Sequence, residues 1–184
     1  VIALSNQKGR SGKTTLTANL SVLWSNSQYK VAIIDADSQK SLTNWVEERK
    51  NYYGEEDIGF DMYPYEASTI QDQIKEIKRK YDFILIDSPP SITFNTIQIL
   101  RCSDNIFVPT QPSPLDLMAT IPFLNLAKRE RKKPIIIMNR VMPRVKLTDA
   151  MIIRLRYAGA KIARTRISSK VIFAETFSVG RGVV

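Results

Sequence analysis

The stretch Asn6-Gln7-Lys8-Gly9-Arg10-Ser11-Gly12-Lys13-Thr14-Thr15 constrains this chain more than any other. An apolar run, Val1-Ile2-Ala3-Leu4, precedes it and reads as a short buried strand. Residues 16–23 follow as a helix with Leu16, Leu20 and Leu23 on one face. Strand, small-residue loop, Gly-Lys-Thr and helix, in that order, make a phosphate-binding loop. Successive backbone N–H groups form an anion nest, and the helix N-terminus adds the positive end of its dipole. In such a loop Lys13 reaches the β- and γ-phosphates and the Thr14 hydroxyl meets Mg²⁺. Gly9, Arg10, Ser11, Gly12 and Thr15 complete the cradle. The spacing departs from G-x-x-x-x-G-K-[ST], which wants glycine where Gln7 stands. An additional lysine, Lys8, opens the loop instead.

A chain of 184 residues is expected to form one domain, residues 1–184, with a sizeable core. Its 43% hydrophobic and 24% charged residues are ordinary for a globular protein. No apolar run approaches the roughly 20 residues of a membrane span. No secretory signal is visible. The single Cys102 cannot form an internal disulfide, which fits a reducing cytosol, and it argues against a structural zinc or iron–sulfur site within one subunit. The absence of histidine excludes His-dependent catalysis. The net charge of +9 is uneven: residues 1–120 sum to −3 and residues 121–184 to +12. That asymmetry points to a polyanion-binding face on the last third, with nucleic acid ahead of an anionic membrane.

Apolar strand-like runs alternate with helix-like segments. The pattern predicts an α/β fold, a mostly parallel, doubly wound sheet with helices on both faces. Strands are expected at 31–34, 58–63 (an outer strand), 83–87, 106–108, 134–138 and 161–164. A helix over 42–49 takes Ser41 as its cap and turns Trp45 and Val46 inward. Residues 51–57 read as a polar loop. A helix capped by Ser68 runs to Lys80 and buries Ile70, Ile74 and Ile77. Further helices are expected at 94–101, 115–131 and 149–157, and a terminal one from Ser168 or Ser169.

Open parallel sheets bind ligands at the carboxyl ends of their strands. The first strand delivers the loop there, the second delivers Asp35 and Asp37, and 83–87 delivers Asp87. Asp87 has the form of a Walker-B carboxylate, which holds Mg²⁺ through water because Mg²⁺ keeps several waters.

Lys8-Gly9-x-x-Gly12-Lys13-Thr14-Thr15 resembles the deviant Walker-A loop of the ParA/MinD family of ATPases. The resemblance implies a P-loop NTPase-like fold, ATP and Mg²⁺ as cofactors, and a dimer in which Lys8 contacts the partner's nucleotide. The family usually has glycine where Arg10 stands; Arg10 either slows hydrolysis or adds a phosphate contact. Asp35-Ala36-Asp37-Ser38-Gln39 resembles the family's first switch, Asp-x-Asp-Pro-Gln, with Ser38 in place of proline. By that match Asp37 orients or deprotonates the attacking water and Asp35 supports the metal site. Asp87-Ser88-Pro89-Pro90 resembles the second switch, which senses the γ-phosphate. Asn139 falls where similar proteins approach the adenine.

The likeness is strongest to the short, ParF-like ParA proteins that partition plasmids. Those bind DNA without sequence preference through basic residues in the last third, here Arg154, Arg156, Lys161, Arg164, Arg166 and Lys170. Arg129, Arg131, Lys132 and Lys133 are a second candidate set, or a polar loop. The resemblance implies a cytoplasmic, nucleoid-associated homodimer in the ATP state. A centromere-binding adaptor would stimulate its hydrolysis and so release it from DNA. It also implies one further helix after Val184. Two other readings share the fold. A MinD-like positioning ATPase would need an amphipathic membrane-binding helix, and none precedes Val184. A metabolic ATP-using enzyme would be indifferent to DNA.

Overall fold

Seven strands form one parallel sheet in the order β3-β2-β4-β1-β5-β6-β7. They are β1 (Ile2–Leu4), β2 (Val31–Asp35), β3 (Asp61–Tyr63), β4 (Phe83–Asp87), β5 (Asn105–Thr110), β6 (Ile135–Val141) and β7 (Lys161–Ser168). Between them run α1 (Lys13–Asn26), α2 (Ser41–Tyr53), α3 (Ile70–Ile77), α4 (Phe94–Cys102), α5 (Pro114–Arg129) and α6 (Leu147–Tyr157), with α7 (Ile172–Phe177) last. The computed structural model describes residues 1–55 and 58–184. Of the loop expected over 51–57, residues 51–53 continue α2, and Glu56 and Asp57 lie outside the described residues.

The strands are apolar on both faces because helices cover both. Leu4, Ile33 and Leu85 turn to the side of α1 and α2. Their neighbours Ala3, Ile34 and Ile86 turn to α3 and α4. This is the period of two along a strand. Val108, Ile136 and Met138 pack beneath α5 and α6. The chain steps outward from β1 to β2 to β3, then returns to β4 and continues the other way to β7. The winding therefore reverses between β1 and β4, and a crevice opens beyond their carboxyl ends. The phosphate loop leaves β1 there, and Asp87 ends β4 opposite Leu4.

Several sequence expectations change in detail. The outer strand expected over 58–63 forms only at Asp61–Tyr63, and the helix expected to run to Lys80 ends at Ile77. On α1 the buried face is Thr17, Ala18, Ser21 and Val22, whereas Leu16 and Leu20 are half-buried and Leu23 is 40% exposed. A helix over the middle of the sheet needs small residues for close approach. The two hydroxyls bond back to carbonyls of their own helix, Thr17 to Lys13 at 3.0 Å and Ser21 to Ala18 at 2.8 Å. Ser41 and Ser68 are not caps. Left-handed Lys40 (φ 52°) precedes α2, and the Ser68 hydroxyl donates to Glu66 while Thr69 precedes α3. The last strand extends to Ser168, and the terminal helix begins only at Ile172.

The C-terminal segment folds back over α1 and α2. Arg49, 5% exposed, donates from Nε to the Ile58 carbonyl at 2.8 Å and from Nη1 to the Gly180 carbonyl at 3.1 Å. Its guanidinium lies 4.6 Å from the Tyr53 ring centroid, a cation–π arrangement that replaces an acidic partner. Gly180 (φ 67°) sits so close to the Arg49 backbone that no side chain fits. At the far edge of the sheet, β7 presents Lys161, Arg164, Thr165 and Arg166 to solvent.

Candidate nucleotide site

The loop between β1 and α1 is braced by three side-chain amides. Asn6, 1% exposed, accepts from the Lys8 N–H at 3.0 Å and donates to the Pro109 carbonyl at 2.8 Å. Gln111, just past β5, donates to the Arg10 carbonyl at 2.9 Å. Asn139, on β6, donates to the Ser11 carbonyl at 2.8 Å. The backbone is left-handed at Arg10 (φ 60°) and at Gly12 (φ 102°), a pattern that makes anion-binding concavities. A Cβ at Gly12 would overlap the Asn139 amide. Gly12→Ala is therefore expected to break the Asn139 brace and to destabilise the free protein by about 2 kcal/mol. Thermal denaturation checks this: a variant melting with the parent would mean that loop and β6 are not coupled. At Arg10 the left-handed backbone costs a residue with a Cβ about 1–2 kcal/mol.

Lys13 opens α1 and is 5% exposed. Its Nζ lies 3.4 Å from the Lys8 carbonyl. Burial lowers its pKa, and the carboxylates of Asp87 and Asp37 pull it back up. Asp87 is fully buried, and neither of its carboxylate oxygens has a hydrogen-bond partner among the described residues. Burial pushes its pKa up to about 7; the nearby Thr14 hydroxyl and Lys13 oppose that, and Asp35 and Asp37 add to it. The hydroxyls of Ser11 and Ser88 are likewise buried without partners among the described residues. Unpartnered buried polar groups are costly, and here they gather at the tips of β1 and β4. They fit a polar guest that supplies donors, such as metal-bound water.

Asp35 and Asp37 take different parts. Asp35 accepts from the Asp37 N–H at 3.1 Å through Oδ1, and from the Thr43 N–H and hydroxyl at 2.9 and 2.8 Å through Oδ2. Both of its oxygens thus hold the turn into α2. Asp37 accepts from the Gln39 N–H at 3.0 Å through Oδ1, and its second oxygen makes no hydrogen bond among the described residues. No group of three or more His, Cys, Asp or Glu residues forms a metal cage among the described residues. The donor set suits Mg²⁺ nonetheless, since Mg²⁺ takes few protein ligands and keeps its waters. Thr14 would bind it directly and Asp87 through water.

Beside the loop opens a cavity of about 520 Å³. Gly12, Thr15 and Asn139 form one wall, and Phe173 and Phe177 of α7 form another. Lys170, itself exposed, also lines it. The remaining basic candidates are exposed but spread out. Arg154 and Arg156 end α6, Lys161 starts β7, and Arg164 and Arg166 lie along the strand. Arg166 pairs with Asp149 at 3.0 Å. Lys132 is occupied structurally, donating to the carbonyls of Arg101 (3.1 Å) and Ser103 (2.7 Å). Sequence reasoning missed Asn6, Thr43, Gln111 and the α7 phenylalanines. Gln111 and the phenylalanines reach the loop from far along the chain, Asn6 ties the loop both to Lys8 beside it and to distant Pro109, and Thr43 reaches back only eight residues to Asp35.

Comparison with known proteins agrees with this geometry. The chain is 28% identical over 191 residues to the maintenance of carboxysome distribution protein A of Halothiobacillus neapolitanus, covering 99% of this chain and 85% of that one. Its fold is similar to that of a Cyanothece McdA variant in complex with ATP, with TM-score 0.80 and 20% identity over 99% of this chain and 88% of that chain. It is also similar to pNOB8 ParA bound to nonspecific DNA, with TM-score 0.67 and 20% identity over 89% and 78% of the two chains. The family model described as CobQ/CobB/MinD/ParA nucleotide binding domain matches residues 2–183, and the chain belongs to that family.

Proposed function

We propose that this chain is an ATP-dependent dimeric switch that hydrolyses ATP and binds DNA without sequence preference in its ATP state. The observation that carries this reading is Lys13, buried beneath the braced loop between Asp87 and Asp37. Phosphoryl transfer asks a protein for positioning and charge neutralisation. Lys13 and the loop N–H groups supply both to the β- and γ-phosphates. The cavity between Asn139 and α7 takes the base. Asp37 offers its free oxygen to the attacking water, and Asp35 holds Asp37 in place. Mg²⁺, when bound, neutralises charge on the phosphate oxygens. Lys8 is half-exposed, and its ammonium makes no hydrogen bond among the described residues. It is free to complete the site of a second copy. ATP then favours the dimer and hydrolysis releases it.

The basic last third supplies the DNA contacts through phosphates, with cargo held by a DNA-bound adaptor that stimulates hydrolysis. The cargo is a plasmid or chromosome. The near full-length likeness to a carboxysome distribution protein favours a second cargo on the same switch, a protein compartment. No helix among the described residues is long and apolar enough to cross a membrane.

The test measures molecular mass and DNA retention with a non-hydrolysable ATP analogue, with ADP and without nucleotide, across a salt series. Dimerisation and steeply salt-dependent DNA retention are expected with the analogue alone. Replacing Arg154 and Arg164 together by Glu should weaken retention and lower the salt slope by roughly 2, with nucleotide binding intact. A wild-type protein that stays monomeric when saturated with the analogue would refute the switch. Unchanged DNA retention in the double variant would place the DNA face elsewhere.

A further inference from the structure

Arg10 holds a left-handed backbone (φ 60°) inside the loop, where a residue with a Cβ is disfavoured. Gln111 fixes its carbonyl at 2.9 Å. The side chain is exposed and makes neither a hydrogen bond nor an ion pair among the described residues. Strained residues are retained where their surroundings over-determine them, and such places cluster at ligand clamps. Here the over-determination is visible, because Gln111 and Asn139 grip the carbonyls of Arg10 and Ser11. Lys13 is charge-matched inside the protein by Asp87 and Asp37. The Arg10 guanidinium has no such partner, and its planar fork suits phosphate oxygens. Gly12 and Thr15 border the base cavity and Arg10 does not. Arg10 therefore stands toward the distal end of a polyphosphate that starts in that cavity and runs past Lys13.

We propose that Arg10 is a phosphate-contacting residue that grips the terminal phosphate of a nucleoside triphosphate, so that this loop distinguishes triphosphate from diphosphate. The inference rests on the nucleotide reading above and adds to it. A glycine at this position would relax the backbone and lose the contact; a lysine would keep the charge and lose the fork.

The experiment titrates wild type, Arg10→Gly, Arg10→Ala and Arg10→Lys with a non-hydrolysable ATP analogue and with ADP, Mg²⁺ present, by calorimetry. It also records melting temperatures without nucleotide. Arg10→Gly and Arg10→Ala are expected to bind the analogue about tenfold more weakly and ADP as wild type does. Arg10→Lys should fall between. Arg10→Gly should melt at or above the wild-type temperature, which separates lost contact from lost fold. Equal weakening toward analogue and ADP, or analogue binding unchanged in Arg10→Gly, would overturn the inference. Wild-type protein that bound neither nucleotide would instead overturn the nucleotide reading itself.

Discussion

Lys13→Met is expected to weaken nucleoside-triphosphate binding by about a hundredfold or more and to abolish turnover. That size follows from charge-assisted hydrogen bonds to two phosphates, each worth about 1.5–3 kcal/mol. Methionine keeps most of the volume of the buried side chain and removes its charge and its hydrogen-bond donors. The free protein should feel the change too. Asp37 and Asp87 lose the cation that faces them, and Asp87, already pushed up to about 7, should move further toward its neutral form. Calorimetric titration measures the binding loss, and circular dichroism confirms the fold. Tight triphosphate binding by the variant would remove the loop from the nucleotide site.

Asp87→Asn should make a more stable protein and a poorer ATPase. Asp87 is fully buried, and its carboxylate oxygens lack hydrogen-bond partners among the described residues. Its pKa in the fold, about 7, exceeds its ordinary value of 3.8. A group raised in this way contributes stability that is fully present below about pH 4 and is lost as pH rises through about 7. The free wild-type protein therefore carries a disfavoured buried charge at pH 8, and the asparagine variant does not. At pH 8 the variant should be more stable by about 2 kcal/mol, or roughly 4–8 °C in melting temperature. The gap should narrow as pH falls from 7 to 4. On the proposed function, in which Asp87 would orient metal-bound water, turnover should drop about 10–100-fold. Melting curves at two pH values and a phosphate-release assay suffice. Equal stability at pH 8 would mean that the carboxylate is better solvated than its burial indicates.

The phosphate loop was legible because its chemistry is local. Spacing alone places Gly12, Lys13 and Thr14 between a strand and a helix. Asp35, Asp37 and Asp87 were legible as strand ends, since an apolar run stopping at a carboxylate is itself a pattern. The hydrogen bonds that hold Asp35 were not, because they depend on Thr43 reaching back to it. The leucines of α1 misled for a physical reason. Periodicity predicts the apolar face, but over the sheet centre closeness matters more than apolarity, so Thr17, Ala18 and Ser21 face inward. Gln111 touches a residue 101 positions away, a relation fixed by β5 lying beside β1.

The exposed strand β7 has a second consequence. Eight residues long and lying at the sheet's margin, it offers unpaired peptide groups to any extended chain that drifts alongside. Arginines and lysines spaced along such a rim repel a second copy of themselves and so discourage fibre-like stacking. The side chains proposed to hold a polyanion would thus also disfavour association through the same margin. On that reading the two duties would alternate: a polyanion bound along the rim would neutralise it and leave electrostatic protection against sheet-to-sheet association weakest.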